Sequence, residues 1–384
     1  MGVRGNPSGT GGTMKRRVAG ERELEHRRIA LVLGGGGMKG FAHIGVLRAL
    51  EEAGIRPTCF AGTSIGALIA AAHLGGMSLD EMERRALGLR KRDLFRINHV
   101  GMLFERMRSP SIYLEEPLRA LCSNAVPRTT FDELQAPLLV NTVDVERGTQ
   151  VVWGLPGLTN VRVDDAVYAS CALPGFFPPG RVDGRQCIDG GTIDNLPVAV
   201  AAQHADAVIA VDVGSSDLSH NTDASAQGFA ATYMRAATVM MHALQVAPLS
   251  QWSGPPMFLI RPRLGHVGWL SFSHTPEVMA EGYRAAREAM AQLPECLAAK
   301  GGVYPRAAYR LSVDRDLCTG CGFCAAIAPN AMAMDSRGKA YAKTEIVDWC
   351  SADGDFVRHC PTDAITATRL TSAGDQPIAQ KEVA

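Results

Sequence analysis

The sequence carries no excess of either charge: 39 Lys plus Arg balance 39 Asp plus Glu over 384 residues. A basic footprint for nucleic acid is missing, so no nucleic-acid partner is expected. No run of about 18 uncharged apolar residues occurs, which leaves no candidate spanning helix. The opening stretch, MGVRGNPSGTGGTMKRRVAGERELEHRR, lacks the apolar segment of a secretory signal and reads as a flexible tail over residues 1–27. Cysteines are sparse through the first 300 residues. Cys59, Cys122, Cys171, Cys187 and Cys296 stand singly in apolar or mixed sequence. They read as reduced thiols of a cytoplasmic protein. The other five crowd into residues 318–360 and mark a separate chemical unit.

What is present up to residue 300 is an alternation of strand-like and helix-like patterns. RIALVL, TCFAG, APLLVNTVD, TQVVWG, DAVIAVDVG and PMFLIRP read as strands. Helices are predicted over MKGFAHIGVLRALEEAG, closed by Gly54, and over IGALIAAAHLGG. Ser78 is placed to cap the helix that follows. Longer helices are predicted from Ala224 to Gln245 and from Pro276 to Leu297. This order implies a mainly parallel sheet covered by helices, an α/β fold. LAAKGGVYPRA reads as a linker, placed at 299–305. A small second domain is expected over 306–370 and a polar tail over 371–384.

The first strand runs into GGGGMKG. Gly35, Gly37 and Gly40 satisfy G-x-G-x-x-G between a strand and a helix. A dinucleotide site would also want an acidic residue at the end of the second strand, where this chain has TCFAGTS. A P-loop would need Gly-Lys-Ser/Thr, and Gly40 is followed by Phe41. The second strand instead delivers GTSIG, Gly62 to Gly66, in the strand–turn–helix setting of a nucleophile elbow. Ser64 then stands at a helix N-terminus, where roughly half a positive charge favours an alkoxide. The glycine loop would offer N–H groups to an oxyanion. A serine also needs a base. His204, His220, His242, His266 and His274 have no motif of their own, and His43 is expected to pack on its helix. Asp189, in IDGGTIDNLP, is a better candidate, although an Asp-Gly turn fits the same pattern.

GGGGMKGFAHIGVL, GTSIGA, ASCALPGFFPP and DGGTIDNLPV together resemble the patatin-like phospholipases, in particular their bacterial, neuropathy-target-esterase-like branch. The resemblance covers residues 28–298 and implies a patatin-like three-layer α/β domain. It implies a Ser–Asp dyad without histidine, with Ser64 as nucleophile and Asp189 as base. It implies an oxyanion hole from Gly35, Gly36, Gly37, Met38, Lys39 and Gly40, with Lys39 where many members carry Arg. The implied substrate is a lipid acyl ester, cleaved through an acyl-enzyme. The segment ERRALGLRKRDLFR, 83–96, has six basic residues and is the candidate for peripheral contact with an anionic membrane, against the plainer reading of a solvated helix face. Met234, Met240 and Met241 could line an acyl groove or simply pack in a core.

In the C-terminal unit, Cys318, Cys321 and Cys324 recur at intervals of three residues in CTGCGFC. Zinc sites pair two C-x-x-C knuckles. The bacterial ferredoxin run is C-x2-C-x2-C-x3-C-P, its fourth Cys serving the other cluster. Here that fourth position is Ala328. Counting back from Cys360-Pro361 gives Phe356, Asp353 and Cys350, so a second cluster would lack ligands. The first set, Cys318, Cys321, Cys324 and Cys360, is complete. Residues 306–370 resemble single-[4Fe-4S] ferredoxins, which implies an α+β ferredoxin-like domain, one [4Fe-4S] cluster and a redox partner. Cys350 reads as a leftover thiol, or as one that responds to oxidation. Two function classes follow: a lipid acyl hydrolase with an appended redox or docking module, or a redox-responsive lipid-binding or electron-transfer protein.

Overall fold

The computed structural model describes residues 27–98, 111–214, 229–350, 352–353, 356–357, 359–371 and 374–376. The tail expected over 1–27, all but its last residue, lies outside them, as do His220, residues 224–228 of the expected long helix and the chain after 376.

Nine strands form the main sheet: β1 Ile29–Leu33, β2 Cys59–Thr63, β3 Leu138–Asp144, β4 Thr149–Trp153, β5 Gly180–Val182, β6 Arg185–Asp189, β7 Ala207–Val211, β8 Met257–Ile260 and β9 Val303–Tyr304. Their order is β5-β6-β3-β2-β1-β7-β8-β9, with β4 also paired to β3. From β3 through β9 along that order all pairings are parallel. The pairs among β3, β4, β5 and β6 are antiparallel. β1 shows why the sheet is a middle layer. Ile29, Leu31 and Leu33 belong to one apolar cluster, and Ala30 and Val32 to another. Successive side chains of a strand point to opposite faces, so a strand buried on both sides reads as a continuous apolar run.

The helices that matter for the site are α1 Ala42–Glu52, α2 Ile65–Leu74, α3 Leu79–Gly88, α4 Lys91–Leu94, α5 Glu115–Ala125, α6 Val163–Cys171, α7 Phe229–Ser250 and α8 Thr275–Ala289. Ser78 caps α3 as expected, its Oγ accepting from Glu81 N at 3.2 Å. The helix expected through Leu297 breaks after α8 into a 3₁₀ turn and a short helix. Val303 and Tyr304, inside the stretch read as a linker, pair with Met257 and Phe258 as the edge of the main sheet.

The C-terminal unit holds β10 Ala307–Val313, β11 Met332–Met334, β12 Ala340–Ala342, β13 Ile346–Trp349, β14 Ile365–Thr371 and β15 Gly374–Gln376. Its four-stranded sheet runs β13-β10-β14-β15, beside a β11–β12 hairpin. Its own apolar cluster gathers Leu311, Cys318, Cys324, Met332, Trp349 and Phe356.

Candidate active site and thiol pocket

Strand register brings the expected residues together. Leu33 pairs with Gly62, Thr63 with Asn141, and Thr142 with Asp189. The ends of β1, β2 and β6 therefore meet at one level of the sheet, the edge where open α/β sheets hold their ligands. β1 exits into the glycine loop, β2 into Ser64, and β6 ends at Asp189.

Ser64 is the single residue between β2 and α2. Its φ of 55° and ψ of −126° are sparsely populated for any residue with a Cβ. The turn is held from both sides. A Cβ on Gly66 would sit 2.0 Å from Leu33 O, so only glycine lets α2 start this close to β1. Ser64 N–H donates to Ser170 Oγ at 2.8 Å, and the Ser170 hydroxyl donates to Asn141 O at 2.7 Å. The side chain is left half-buried at the α2 N-terminus.

The Asp189 carboxyl is buried, 5% exposed, and its Oδ1 accepts from Gly191 N at 2.8 Å. Burial pushes its pKa up to about 6, while the Ser64 hydroxyl and the Gly191 N–H stabilise the ionised form. A carboxylate so placed is basic enough to accept a proton near neutrality. The Ser64 hydroxyl also lies against the Cys171 thiol, which in turn meets that of Cys122.

The glycine loop divides into parts. Gly35 N donates to Asn195 O at 3.3 Å, and Met38 N to Trp269 O at 2.9 Å. Those two N–H groups are thus committed within the fold, a difference from the expectation that the whole loop faces an oxyanion. Gly36 and Gly37 open the 3₁₀ turn Gly37–Phe41, and the first N–H groups of a helical turn have no intrahelical partner. Gly37 has φ +56°, which glycine adopts without strain. Lys39 is fully buried among core side chains. Burial lowers its pKa to about 7, opposed by Asp212, whose carboxylate pairs with Arg261 at 3.0 Å. Gly40 presses on Ile65, the first residue of α2. His43 packs as expected: its Nε2 lies 2.8 Å from Gly34 O, and burial lowers its pKa to about 4, keeping the ring neutral.

Three residues that hold this arrangement had no role in the sequence reading. Ser170 anchors the Ser64 backbone. Asn141 donates to Asp194 O at 2.6 Å, and Asn195 donates to Gly35 O at 3.0 Å. Asn141 did leave a trace, as an amide inside the apolar run LLVNTVD; a buried polar side chain needs a partner.

In the C-terminal unit, Cys318, Cys321, Cys324 and Cys360 line one pocket with Phe323 and His359. Ala340 N donates to Cys318 Sγ at 3.5 Å, and Ala364 N to Cys360 Sγ at 3.3 Å. Among the described residues, no three His, Cys, Asp or Glu side chains converge on a single ion. A four-iron cube is held at its corners, one thiolate to each iron, and N–H bonds to sulfur are among the features that set its potential. The donor set fits that group. Ala328 and Phe356 are buried in the unit's apolar cluster. Cys350 is buried against the main sheet's second cluster, and burial pushes its thiol up to about 11.

Two fused modules define the class of protein: a three-layer α/β domain with a serine elbow, and a small thiol-rich domain. Residues 31–202 match the family model of the patatin-like phospholipases, and residues 311–367 match that of the 4Fe-4S single cluster domain. The chain is 35% identical over 198 residues to an uncharacterized NTE family protein of Mycobacterium tuberculosis, covering 51% of this chain and 52% of that one. It is 35% identical over 206 residues to Lysophospholipase NTE1 of Mycosarcoma maydis, covering 51% of this chain and 10% of that one. It thus spans about half the length of the first relative and a tenth of the second. The structure of VipD from Legionella pneumophila superposes with a TM-score of 0.38 at 18% identity, over 71% of this chain and 67% of that one.

Proposed function

We propose that the protein is a serine lipid acyl hydrolase that cleaves carboxylic esters of phospholipids or lysophospholipids. Ser64 Oγ attacks the ester carbonyl as its proton passes to Asp189. The N–H groups of Gly36 and Gly37 face the developing oxyanion, a term worth about 3–4 kcal/mol per donor. The tetrahedral intermediate collapses, the proton leaves on the alcohol, and an acyl-Ser64 ester remains. Water, deprotonated by Asp189, releases the fatty acid and restores Ser64. The observation that carries this reading is the strained Ser64 held against a buried carboxyl whose pKa is about 6. The match to the patatin-like family supports it.

Residues 28–298 are proposed as the catalytic unit and 306–370 as the cluster unit, with 299–305 joining them. Cys318, Cys321, Cys324 and Cys360 would hold one [4Fe-4S] cluster, which supplies one-electron chemistry when bound. Ester hydrolysis exchanges no electrons, so the module serves redox sensing or docking.

The test uses anaerobically purified full-length protein. Fatty-acid release is measured from phospholipid, lysophospholipid and acyl-thioester substrates, with Ser64→Ala as control. Release that vanishes in the variant is expected. Release that persists there overturns the assignment.

A further inference from the structure

Helix α7 buries Leu249, but it also buries two polar side chains and leaves a row of apolar ones in water. Thr238 and Gln245 are buried, 4% and 7% exposed, while Tyr233, Val239, Met240 and Leu244 stand 37%, 45%, 56% and 49% exposed. Ala236, Ala243 and Ala247 share the exposed side. These positions follow helical spacing and make one apolar stripe from Tyr233 to Ala247, about 21 Å long at 1.5 Å per residue. A contiguous apolar stripe in water is a candidate contact surface. The helix carries Arg235 and no Asp or Glu. It is not long and apolar enough to cross a membrane. Such a helix can instead lie in the interface plane.

Its place in the fold says what the stripe is for. Met241 Sδ lies 3.2 Å from where a Gly191 Cβ would be, two residues from Asp189. Tyr233 lies 6.2 Å from Phe176, ring centre to ring centre. Phe176 meets Tyr113 at 6.0 Å, and Tyr113 meets Phe95 at 4.9 Å. Phe95 directly follows α4, where Arg90, Lys91, Arg92 and Arg96 are exposed. Three ring contacts thus join the apolar stripe to a cationic segment. A second copy of the chain suits the stripe poorly. One helix face about 10 Å wide offers roughly 200 Å², against roughly 800 Å² per partner in a standard interface.

We propose that the outer face of α7, flanked by the basic segment around α4, docks on a lipid surface with anionic headgroups and so presents the Ser64–Asp189 site to that surface. The proposal rests on the lipid hydrolase reading for its purpose, but its test does not. Full-length Ser64→Ala protein, which consumes no lipid, is sedimented with vesicles of phosphatidylcholine alone and of phosphatidylcholine mixed with phosphatidylglycerol. Binding is expected to favour the mixed vesicles and to weaken with salt. Adding Val239→Glu and Leu244→Glu should weaken it about tenfold or more. The same pair in the Ser64 enzyme should leave hydrolysis of a soluble short-chain ester unchanged, which checks the fold. Val239→Gln with Leu244→Gln serves if the glutamates disturb it.

Equal sedimentation of parent and variant overturns the proposal. So does absent binding by the parent, or binding indifferent to phosphatidylglycerol and salt. A parent dimer that the variant loses assigns the face to a second copy and also overturns it. Vesicle binding without any ester turnover sinks the hydrolase and leaves the docking face standing. Turnover of the soluble ester without vesicle binding does the reverse.

Discussion

At the scale of single residues, the proposed mechanism depends on one ionisation. Asp189 must be a carboxylate to take the Ser64 proton, and burial holds its pKa at about 6. As pH falls through about 6 the carboxyl is protonated and the base is lost, so kcat/KM should fall on that limb; a profile flat from pH 5 to 8 would contradict this. Asp189→Asn keeps the shape and removes the base, and should cost about 10³-fold or more in kcat. Ser170→Ala leaves Ser64 N–H without its acceptor and Asn141 O without its donor. A loss of about 1–3 kcal/mol of stability is expected in urea melts, with a lower kcat. Ser64 and Asp189 stood out in the sequence because each lies beside glycines in a motif of its own. Ser170, Asn141 and Asn195 were not, because their work is done across strands far apart in the chain. The inward burial of Lys39 was equally hidden, since a lysine in a glycine loop reads as exposed until its neighbours are known.

At the scale of elements, periodicity served well for β1, β2, α2 and the Ser78 cap, where strong local signals agree with the tertiary contacts. Sheet order is a different matter. The parallel run from β3 to β9 follows from strand–helix alternation, but the antiparallel corner of β4, β5 and β6 depends on which edge each short strand finds. That corner delivers Asp189 level with Thr142. The edge strand β9 was hidden in a glycine-rich stretch that carries only two pairing residues. The junction of β1 with α2 is the tightest part of the elbow. Gly66→Ala would place a methyl 2.0 Å from Leu33 O, and the backbone would have to move. A loss of about 3 kcal/mol is expected in thermal or urea unfolding, together with lost ester hydrolysis. Wild-type stability in that variant would mean that β1 and α2 are not so close.

At the scale of the whole molecule, the two modules are tied where a second cluster site would have been. Asp353, one of the positions counted back from Cys360, accepts from Arg306 at 2.8 Å and from Cys350 N at 3.0 Å. Arg306 also reaches Asp348 at 2.7 Å, and its backbone N–H and C=O are both bound by the Gln292 side chain. Cys350 and Ala352 join the apolar cluster that includes Leu196 and Val198, just past Asn195. Arg306 remains partly solvated, so Arg306→Ala should cost only about 1 kcal/mol. Its clearer sign should be faster proteolysis between the modules, with iron content unchanged. Missing ligands were readable from spacing; their reuse as a clamp was not, because it needs Gln292 and Arg306 from outside the motif.

The backbone of Ser64 has a thermodynamic consequence. A non-glycine residue at φ 55°, ψ −126° stores about 1–3 kcal/mol. A glycine there would release that energy and give back only about 0.5–1 kcal/mol in unfolded-chain freedom. Ser64→Gly should therefore melt at a higher temperature than the wild type while being inert. The fold alone would favour glycine at this position, and it is the proposed chemistry that calls for a serine hydroxyl there.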